Sequence, residues 1–403
     1  MDEAGRGNAR DEGTAYGRPR QHQNRLLTEI GPGTPCGEFM RRYWQPVGIS
    51  AEVTARPKKV RILDEDLVLF RDRTGRAGLL YPRCMHRGTT LYYGKVEERG
   101  IRCCYHGWLF DVEGNCLEQP CEPEGGLHRD LARQPWYPVE ERYGLVFAYL
   151  GPPAKKPVLP RYDNLEDLEP GERYSVVIGG FGSTGDDSFE IVPYSWLHMN
   201  DNVMDPYHVY VLHSVFTGPQ FAENFKIMPK KVDFFPTESG VCYSAVRDLD
   251  DGRTVDRISS WLMPNIMSVP SIALAEGRSN GISWVVPVDD DKYFQVMVMR
   301  TREAGGRFAL RINGTTWGEK SEAERQEWPG DFEAQFGQGP ISLHSEEHLA
   351  QSDRGVAMQR RILEQQIAAV AEGRDPLGVA FDPQKALVHV RSGNFYTPSL
   401  AAE

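Results

Sequence analysis

Two short groups of residues have the types and spacing of a metal site. The first is the tripeptide Cys84–His86 (CMH), and the second, sixteen residues later, is the tetrapeptide Cys103–His106 (CCYH). Each group offers a thiolate and an imidazole from a segment short enough to be one loop. Two thiolates and two imidazoles suit either a tetrahedral zinc ion or a cluster in which one iron binds both sulfurs and the other binds both imidazoles. Donor chemistry alone leaves both alternatives open.

A further set of candidate ligands lies about a hundred residues later, in the segment Asp205–His213 (DPYHVYVLH). Non-heme Fe(II) sites that activate oxygen use two histidines and one carboxylate on one face of the metal. His208 and His213 are five positions apart, so on an ideal helix their side chains would diverge by about 140°. An irregularity must therefore realign them, and Pro206 or a π-bulge would supply it.

The elements around the first two groups are short and strand-like, which predicts an antiparallel β domain whose ligand loops project from hairpins. The strand candidates are Val60–Leu63, Leu67–Phe70, Leu79–Tyr81, Ile101–Cys103 and Leu145–Leu150, with 64–66 and 74–76 as turns. Residues 1–22 mix glycine, proline and charge without apolar periodicity and predict a disordered leader. Residues 23–155 then form an N-terminal arm and the β domain, because the run Gly151–Pro157 (GPPAKKP) predicts a boundary near residue 155.

Residues 156–403 predict a second domain, with a large antiparallel sheet and flanking helices. A helix is expected over Tyr194–Met204, interrupted at Asp205, and another over Ser352–Gly373 with Gly373 as its C-cap. The strand candidates are Val232–Phe235, Val241–Arg247, Arg257–Met263, Ile266–Leu274, Ile282–Val288 and Tyr293–Arg300. The fold class is therefore α+β.

Composition narrows the choice of partners and compartment. The chain has 403 residues and a formal net charge of −11, with no block of lysine and arginine, which disfavours nucleic acid and anionic membranes as partners. No stretch approaches the roughly 18 continuous apolar residues of a membrane helix. Seven scattered cysteines do not form a disulfide framework. These features predict a cytoplasmic protein with reduced thiols.

The first two groups, extended to Cys84–Gly88 (CMHRG) and Cys103–Trp108 (CCYHGW), resemble the Rieske signature of ring-hydroxylating and O-demethylating non-heme iron oxygenases. The resemblance covers about residues 24 to 376 and is strongest to the phthalate dioxygenase and aryl ether O-demethylase group. It implies an N-terminal Rieske [2Fe–2S] domain and a C-terminal catalytic domain with a mononuclear Fe(II).

The resemblance also implies the cluster ligands. Cys84 and Cys103 would bind one iron, and His86 and His106 would bind the other. Cys104 also precedes a histidine at C-x-H spacing, but the family shows C-x-x-H, which favours Cys103. A structural zinc site with the same four ligands is the alternative.

In the second motif the resemblance makes His208 and His213 ligands of the mononuclear iron. The family uses the aspartate at the position of Asp205 as a bridging residue rather than a ligand. It accepts hydrogen bonds from the nearer iron-ligand histidine and from a Rieske histidine of the adjacent subunit. Such a carboxylate orients an imidazole and raises its basicity.

The third iron ligand must be a distant carboxylate. The sequence offers Asp331, Glu333, Glu346, Glu347 and Asp353. Relatives of the phthalate dioxygenase type have an aspartate, then Gln-Gly-Pro-Ile, then a helix with Ser-Asp near its start. Asp331, the segment 338–341 and the pair at 352–353 follow this order, so Asp331 is the expected ligand and Glu333 the second candidate.

The implied activity is that of an oxygenase component that takes electrons from an NAD(P)H-dependent reductase of flavin or ferredoxin type. With O2 it would hydroxylate or O-demethylate an aromatic, carboxylated substrate, and head-to-tail homotrimers, or multiples of them, would bring the two metals together. Arg247, Arg257 and Arg300 lie on strand candidates and could bind a carboxylate. The competing hypotheses are a Rieske electron carrier without oxygenase activity and a zinc-stabilised binding protein.

Overall fold

The computed structural model describes residues 20–127, 129–166, 168–178, 190–216, 220–303 and 317–398. Nearly all of the predicted leader lies outside these residues. Its last three residues, 20–22, are described. The main-chain N–H of His22 donates to Ser345 Oγ (2.9 Å), and the N–H of Ser345 donates to the His22 carbonyl (3.2 Å).

The predicted N-terminal arm forms two short helices that pack against the long C-terminal helix. They are α1 (Arg25–Thr28) and α2 (Pro35–Met40). Thr34 caps α2, since its side chain accepts a hydrogen bond from the N–H of Gly37, and Pro35 occupies the first turn, where no N–H is needed.

The N-terminal β region contains eleven strands in its described part. They are β1 (Trp44–Ile49), β2 (Lys58–Ile62), β3 (Glu65–Arg71), β4 (Ala77–Leu80), β5 (Lys95–Glu97), β6 (Gly100–Arg102), β7 (Leu109–Phe110), β8 (Cys116–Glu118), β9 (Trp136–Tyr137), β10 (Val139–Arg142) and β11 (Leu145–Tyr149). They form three antiparallel sheets in the orders β1-β11-β10, β2-β3-β4-β9 and β5-β6-β7-β8. The predicted turn at 64–66 is displaced: Leu63 and Asp64 have positive φ angles, and Glu65 already begins β3.

The C-terminal region combines helices with one large sheet. Its helices are α3 (Asp163–Glu166), α4 (Trp196–Val203), α5 (Pro206–Tyr210), α6 (Glu322–Glu327), α7 (Asp331–Phe336) and α8 (Arg354–Ala371). Its strands are β12 (Arg161–Tyr162), β13 (Arg173–Ile178), β14 (Ile191–Val192), β15 (Lys231–Pro236), β16 (Gly240–Asp248), β17 (Thr254–Leu262), β18 (Ile266–Ser268), β19 (Gly277–Arg278), β20 (Gly281–Asp289), β21 (Lys292–Thr301), β22 (Leu387–Val388) and β23 (Gly393–Thr397).

The large sheet is antiparallel and runs β13-β21-β20-β18-β17-β16-β15, with β14, β19 and β23 paired at its sides. The strand predicted over 266–274 is too long, since β18 ends at Ser268. Pro270, which has no N–H for a ladder, follows two residues later. Helix α8 matches its prediction, because it ends just before Gly373, whose φ of +79° suits a C-cap.

A single large apolar core joins the two regions. Phe147 of β11 packs edge-to-face on Trp284 of β20, with ring centroids 5.5 Å apart. A smaller core lies beneath the two predicted ligand loops and includes Cys84, Cys103 and Phe110. The observed architecture confirms the α+β prediction: a β region followed by an antiparallel sheet with helices. In the described part of the chain, no helix is long and apolar enough to cross a membrane.

Candidate metal centres

The two predicted cluster loops share one backbone design. In the first, the N–H of Gly88 donates to the Cys84 carbonyl (2.8 Å) and the N–H of Cys84 donates to the Thr89 carbonyl (2.9 Å). In the second, Gly107 and Trp108 bond to Cys103 in the same way, at 3.1 and 2.8 Å. Gly88 and Gly107 have φ angles of +76° and +72°, which favour glycine. Each loop therefore turns tightly over its cysteine.

The four predicted ligands meet in pairs. The Cys84 thiol lies within hydrogen-bonding reach of Cys103, and burial together with this neighbouring thiol raises the pKa of Cys84 to about 11. The rings of His86 and His106 have centroids 4.5 Å apart. Cys103 is buried and Cys104 is exposed. The arrangement sets two sulfurs on the inner side and two imidazoles on the outer side, which fits a two-iron cluster with split ligation.

Two other residues hold the loops: Trp108, which belongs to the second motif, and Gln134, which does not stand out in the sequence. The ring of Trp108 stacks on His86, with an interplanar angle of 2° and centroids 4.5 Å apart. Gln134 is fully buried beneath the first loop: its amide nitrogen donates to the carbonyls of Tyr81 and Arg83, and its oxygen accepts from the N–H of Met85. Gln134 therefore satisfies three main-chain groups of the first loop.

In the second motif, a π-helical turn brings the two histidines together despite their five-residue spacing. Helix α5 starts at Pro206, and the following turn, Val211–Phe216, has π-helical geometry. The wider π turn places His213 on the same side as His208, with ring centroids 5.4 Å apart. The irregularity predicted from the five-residue spacing is thus present.

Asp331, the first residue of α7, completes this site. Its Oδ1 lies 3.1 Å from Nε2 of His213 and 3.6 Å from Nε2 of His208. One ligand atom from each of the three residues can be chosen so that all lie within 4.8 Å of one another. Two imidazole nitrogens and a carboxylate oxygen at this separation match the donor set of a non-heme iron site.

Hydrogen bonds orient both imidazoles toward Asp331. Nδ1 of His208 lies 2.5 Å from the main-chain oxygen of Asp205, and Nδ1 of His213 lies 2.7 Å from Oε1 of Gln220. Both oxygens are acceptors, so each Nδ1 must carry the proton and each Nε2 is left with its lone pair facing the site. Gln220 was missed in the sequence, because a lone glutamine after the motif carries no recognisable signal.

The charge state of Asp331 suits a metal ligand. Burial alone would raise its pKa, but His213 and His208, with a hydrogen bond from Asn202 (3.0 Å), outweigh burial and hold the pKa of Asp331 well below its usual range. Burial lowers the pKa of His213, yet Asp331 outweighs it and raises the pKa overall. The site therefore consists of an ionised carboxylate facing two imidazoles. A proton or a metal cation bound between them would be stabilised by the negative charge of Asp331.

Three of the other four carboxylates that the sequence offered serve structural roles. Glu333 accepts a hydrogen bond from the N–H of Gly330 (2.8 Å) at the start of α7 and lies 3.9 Å from Lys320. Glu347 pairs with Arg360, and Asp353 accepts from the N–H of Ala350. The structure places Asp331 alone among the five candidates beside the histidines.

Asp205 caps helix α5 and is not part of the group formed by His208, His213 and Asp331. Its Oδ1 accepts from the N–H groups of Tyr207 (2.9 Å) and His208 (3.3 Å). Its Oδ2 lies 3.7 Å from Nδ1 of His208, too far for a hydrogen bond, because that nitrogen bonds to the main-chain oxygen instead. The carboxylate is 29% exposed and so retains a free edge.

This chain is similar to known proteins over most of its length. Residues 43–138 match the family model of the Rieske [2Fe-2S] domain. The chain is 61% identical to the phenoxybenzoate dioxygenase subunit alpha of Ectopseudomonas oleovorans, over 97% of this chain and 96% of that protein. It is 40% identical to the tert-butanol monooxygenase / tert-amyl alcohol desaturase oxygenase subunit of Aquincola tertiaricarbonis, over 92% and 83%. It is 33% identical to the 5,5'-dehydrodivanillate O-demethylase oxygenase subunit of Sphingobium sp. (strain NBRC 103272 / SYK-6), over 90% and 83%.

Proposed function

Since this chain belongs to the oxygenase subunits of the Rieske non-heme iron oxygenases, we propose that Cys84 and Cys103 bind one iron of its [2Fe–2S] cluster and that His86 and His106 bind the other. Two adjacent thiols and two adjacent imidazoles on opposed loops support this assignment. Members of the family are oxidoreductases that work in multicomponent systems with a reductase and O2.

We further assign His208, His213 and Asp331 to the mononuclear Fe(II). Their approach to within 4.8 Å is the observation that carries the oxygenase function, because an electron carrier would need the first site only. When bound, the cluster supplies electrons and the iron supplies the oxygen activation needed to hydroxylate or O-demethylate a substrate. The protein holds the two imidazoles in one tautomer and keeps the carboxylate ionised.

We also propose a head-to-tail homotrimer in which Asp205 bridges to a Rieske histidine of the next subunit. Two exposed apolar surfaces support this. Met85 and Tyr105 project from the cluster loops, while Val215 and Phe216 project from the π-helical turn beyond Asp205. Packing one surface on the other would bury both, as a closed heterologous interface requires.

We also propose a substrate class, a domain division and a compartment. An aromatic acid is the proposed substrate class, in agreement with the relative that acts on phenoxybenzoate. The proposed division is residues 23–155 for the Rieske domain and 156–403 for the catalytic domain. A cytoplasmic location is proposed from seven cysteines that are all free.

The deciding experiment reconstitutes the iron-loaded protein with an NADH-dependent flavin and ferredoxin-type reductase. Phenoxybenzoates and methoxybenzoates are supplied under ¹⁸O2, and the products are analysed by mass spectrometry. We expect label in a hydroxylated product, or oxygen-dependent loss of a methyl group. A coloured, EPR-active protein that forms no product would favour the electron carrier. A colourless protein without an EPR signal after reduction would favour the zinc-stabilised binding protein.

A further inference from the structure

Two arginines are buried side by side in the large sheet. Arg247 of β16 and Arg257 of β17 have only 1% and 3% of their surface exposed. Their Cζ atoms lie 5.3 and 5.1 Å from the centre of the same ring, that of Phe225, which is itself fully buried. Two like charges thus share one apolar neighbour, an arrangement that is unfavourable unless a counter-charge is present.

Within the described residues, no carboxylate forms an ion pair with either guanidinium. Burial and the neighbouring Arg257 lower the pKa of Arg247 to about 10, so it stays charged at neutral pH. Tyr243, on the same strand as Arg247, acts on both guanidiniums but carries a hydroxyl group, not a carboxylate. The pair therefore carries uncompensated positive charge inside the catalytic region.

The two arginines differ in what their terminal nitrogens do. Both Nη atoms of Arg257 donate to main-chain or amide oxygens: Nη1 to Ser271 (2.9 Å) and Asn394 (3.0 Å), and Nη2 to Pro270 (2.9 Å). Arg247 uses only Nε, which donates to the Ile227 carbonyl at 2.9 Å. Its Nη1 is enclosed and has no hydrogen-bond partner in the described structure. The guanidinium of Arg247 is thus held in place through Nε, while its buried Nη1 has no acceptor among the described residues.

An aromatic path connects Arg247 with the iron ligands. The ring of Phe225 lies 5.9 Å from that of Phe221, and Phe221 stacks on His213 at 4.2 Å. Val209, the residue after His208, belongs to the same apolar cluster as Phe225. The uncompensated charge therefore lies at one end of an apolar wall whose other end is the proposed iron site.

We propose that Arg247 binds the carboxylate of an aromatic acid substrate and that Arg257 positions it and strengthens the local field. This inference rests on the proposed oxygenase function and names the residue that would select its substrate. A carboxylate matches the two-nitrogen edge of a guanidinium, and it neutralises buried charge, which a neutral amide of the same shape does not. Arg300, the third arginine considered from the sequence, already has Glu172 at 3.7 Å and is not assigned this role.

Binding can be measured without turnover. The iron-loaded protein is titrated anaerobically with 3-phenoxybenzoate and with its neutral carboxamide by calorimetry. For the wild type we expect the acid to bind about 100-fold more tightly than the amide. Arg247→Gln should remove this preference, and Arg247→Lys, which keeps charge but loses the planar edge, should retain about a tenth of it. Arg300→Gln is the matched control and should keep the full preference.

Thermal melting tests whether Arg247 is merely structural. The acid should raise the Tm of the wild type more than the amide does, and the two ligands should act alike on Arg247→Gln. Overturning results would be an unchanged preference in a folded Arg247→Gln variant, or equal binding of acid and amide by the wild type. If Arg247→Gln does not fold, the Arg247→Lys variant decides instead: an unchanged preference for the acid in that variant would overturn the proposal.

The outcome is separable from that of the proposed function. If the wild type prefers the acid but forms no product with reductase and O2, the carboxylate site stands and the oxygenase function fails. If product forms from acid and amide with equal kcat/KM in both the wild type and Arg247→Gln, the oxygenase function stands and the role of Arg247 is refuted.

Discussion

Nε2 of His213 lies 3.1 Å from Oδ1 of Asp331, although 118 positions separate the two residues in the chain. The first sits in a π-helical turn and the second begins α7, so this contact exists only because two distant elements pack together. Nearly every functional expectation for the catalytic region depends on it.

Asp331→Ala should abolish product formation. It removes the carboxylate whose Oδ1 lies near Nε2 of both histidines, so we expect kcat to fall by at least about 100-fold, a decrease typical of losing an essential group. Iron content at the mononuclear site should fall, while the absorbance of the Rieske cluster stays unchanged. Glu333→Gln is the control, because Glu333 faces Gly330 and Lys320 instead. Full activity in the Asp331 variant would refute the assignment.

Cysteine substitutions should separate Cys103 from Cys104. Cys103→Ser removes a buried thiol that meets Cys84, so the visible absorbance and the EPR signal of the reduced cluster should disappear. Cys104→Ser changes an exposed side chain and should leave both signals intact. The reverse result would transfer the ligand role to Cys104.

Asp205→Asn should slow electron transfer without unfolding α5. An asparagine oxygen can still cap the N–H groups of Tyr207 and His208, but the negative charge is lost. Both metals should be retained, and product formed in a single turnover of the prereduced protein should appear more slowly. Asp205→Ala loses the cap as well, at a cost of about 1 kcal/mol in the free energy of unfolding. Unchanged single-turnover kinetics in Asp205→Asn would remove the bridging role.

Gln220→Ala should weaken iron binding. Oε1 of Gln220 accepts the proton of His213 Nδ1, so the alanine variant frees the imidazole to rotate and to change tautomer. Loss of such an orienting partner typically costs about 10–100-fold in metal affinity. Iron retention during dialysis against a chelator measures the effect. Gln326→Ala on the exposed side of α6 serves as the control and should match the wild type.

His198 should make the protein sensitive to acid. Burial lowers the pKa of His198 to about 4, below its value in an unfolded chain of about 6.5. The unfolded state therefore binds more protons between these values, and stability is lost as the pH falls through that window. Its Nε2 lies 2.5 Å from Ser342 Oγ.

The test compares His198→Gln with the wild type by urea unfolding at pH 6.5 and 4.5. The glutamine amide can replace the hydrogen bond to Ser342 but does not titrate. Between pH 6.5 and 4.5 the His198→Gln variant should therefore lose about 2 kcal/mol less of its free energy of unfolding than the wild type loses. His348→Gln, which changes an exposed histidine, should behave as the wild type. Equal acid sensitivity in the His198 and His348 variants would contradict the prediction.

The sequence by itself determined the features that depend on near neighbours. The cluster loops are readable because cysteine, histidine and glycine occur within five residues of each other, and a tight turn has few backbone solutions. The five-residue spacing of His208 and His213 required a departure from α-helical geometry, and the π-helical turn provides it. The C-terminal end of α8 and the positions of β15, β16, β20 and β21 along the chain were likewise predictable from local patterns.

Tertiary structure alone decided which distant groups meet. Asp331 and Glu333 lie on the same helical turn, yet only one faces the histidines, because the packing of α7 selects one side. Arg247 and Arg300 both lie on interior strands, but among the described residues only Arg300 is paired with a carboxylate. Gln220 and Gln134 act through hydrogen bonds to groups that other elements bring near. Such pairings depend on how separate faces pack, and that information is spread over the whole core rather than held in a motif.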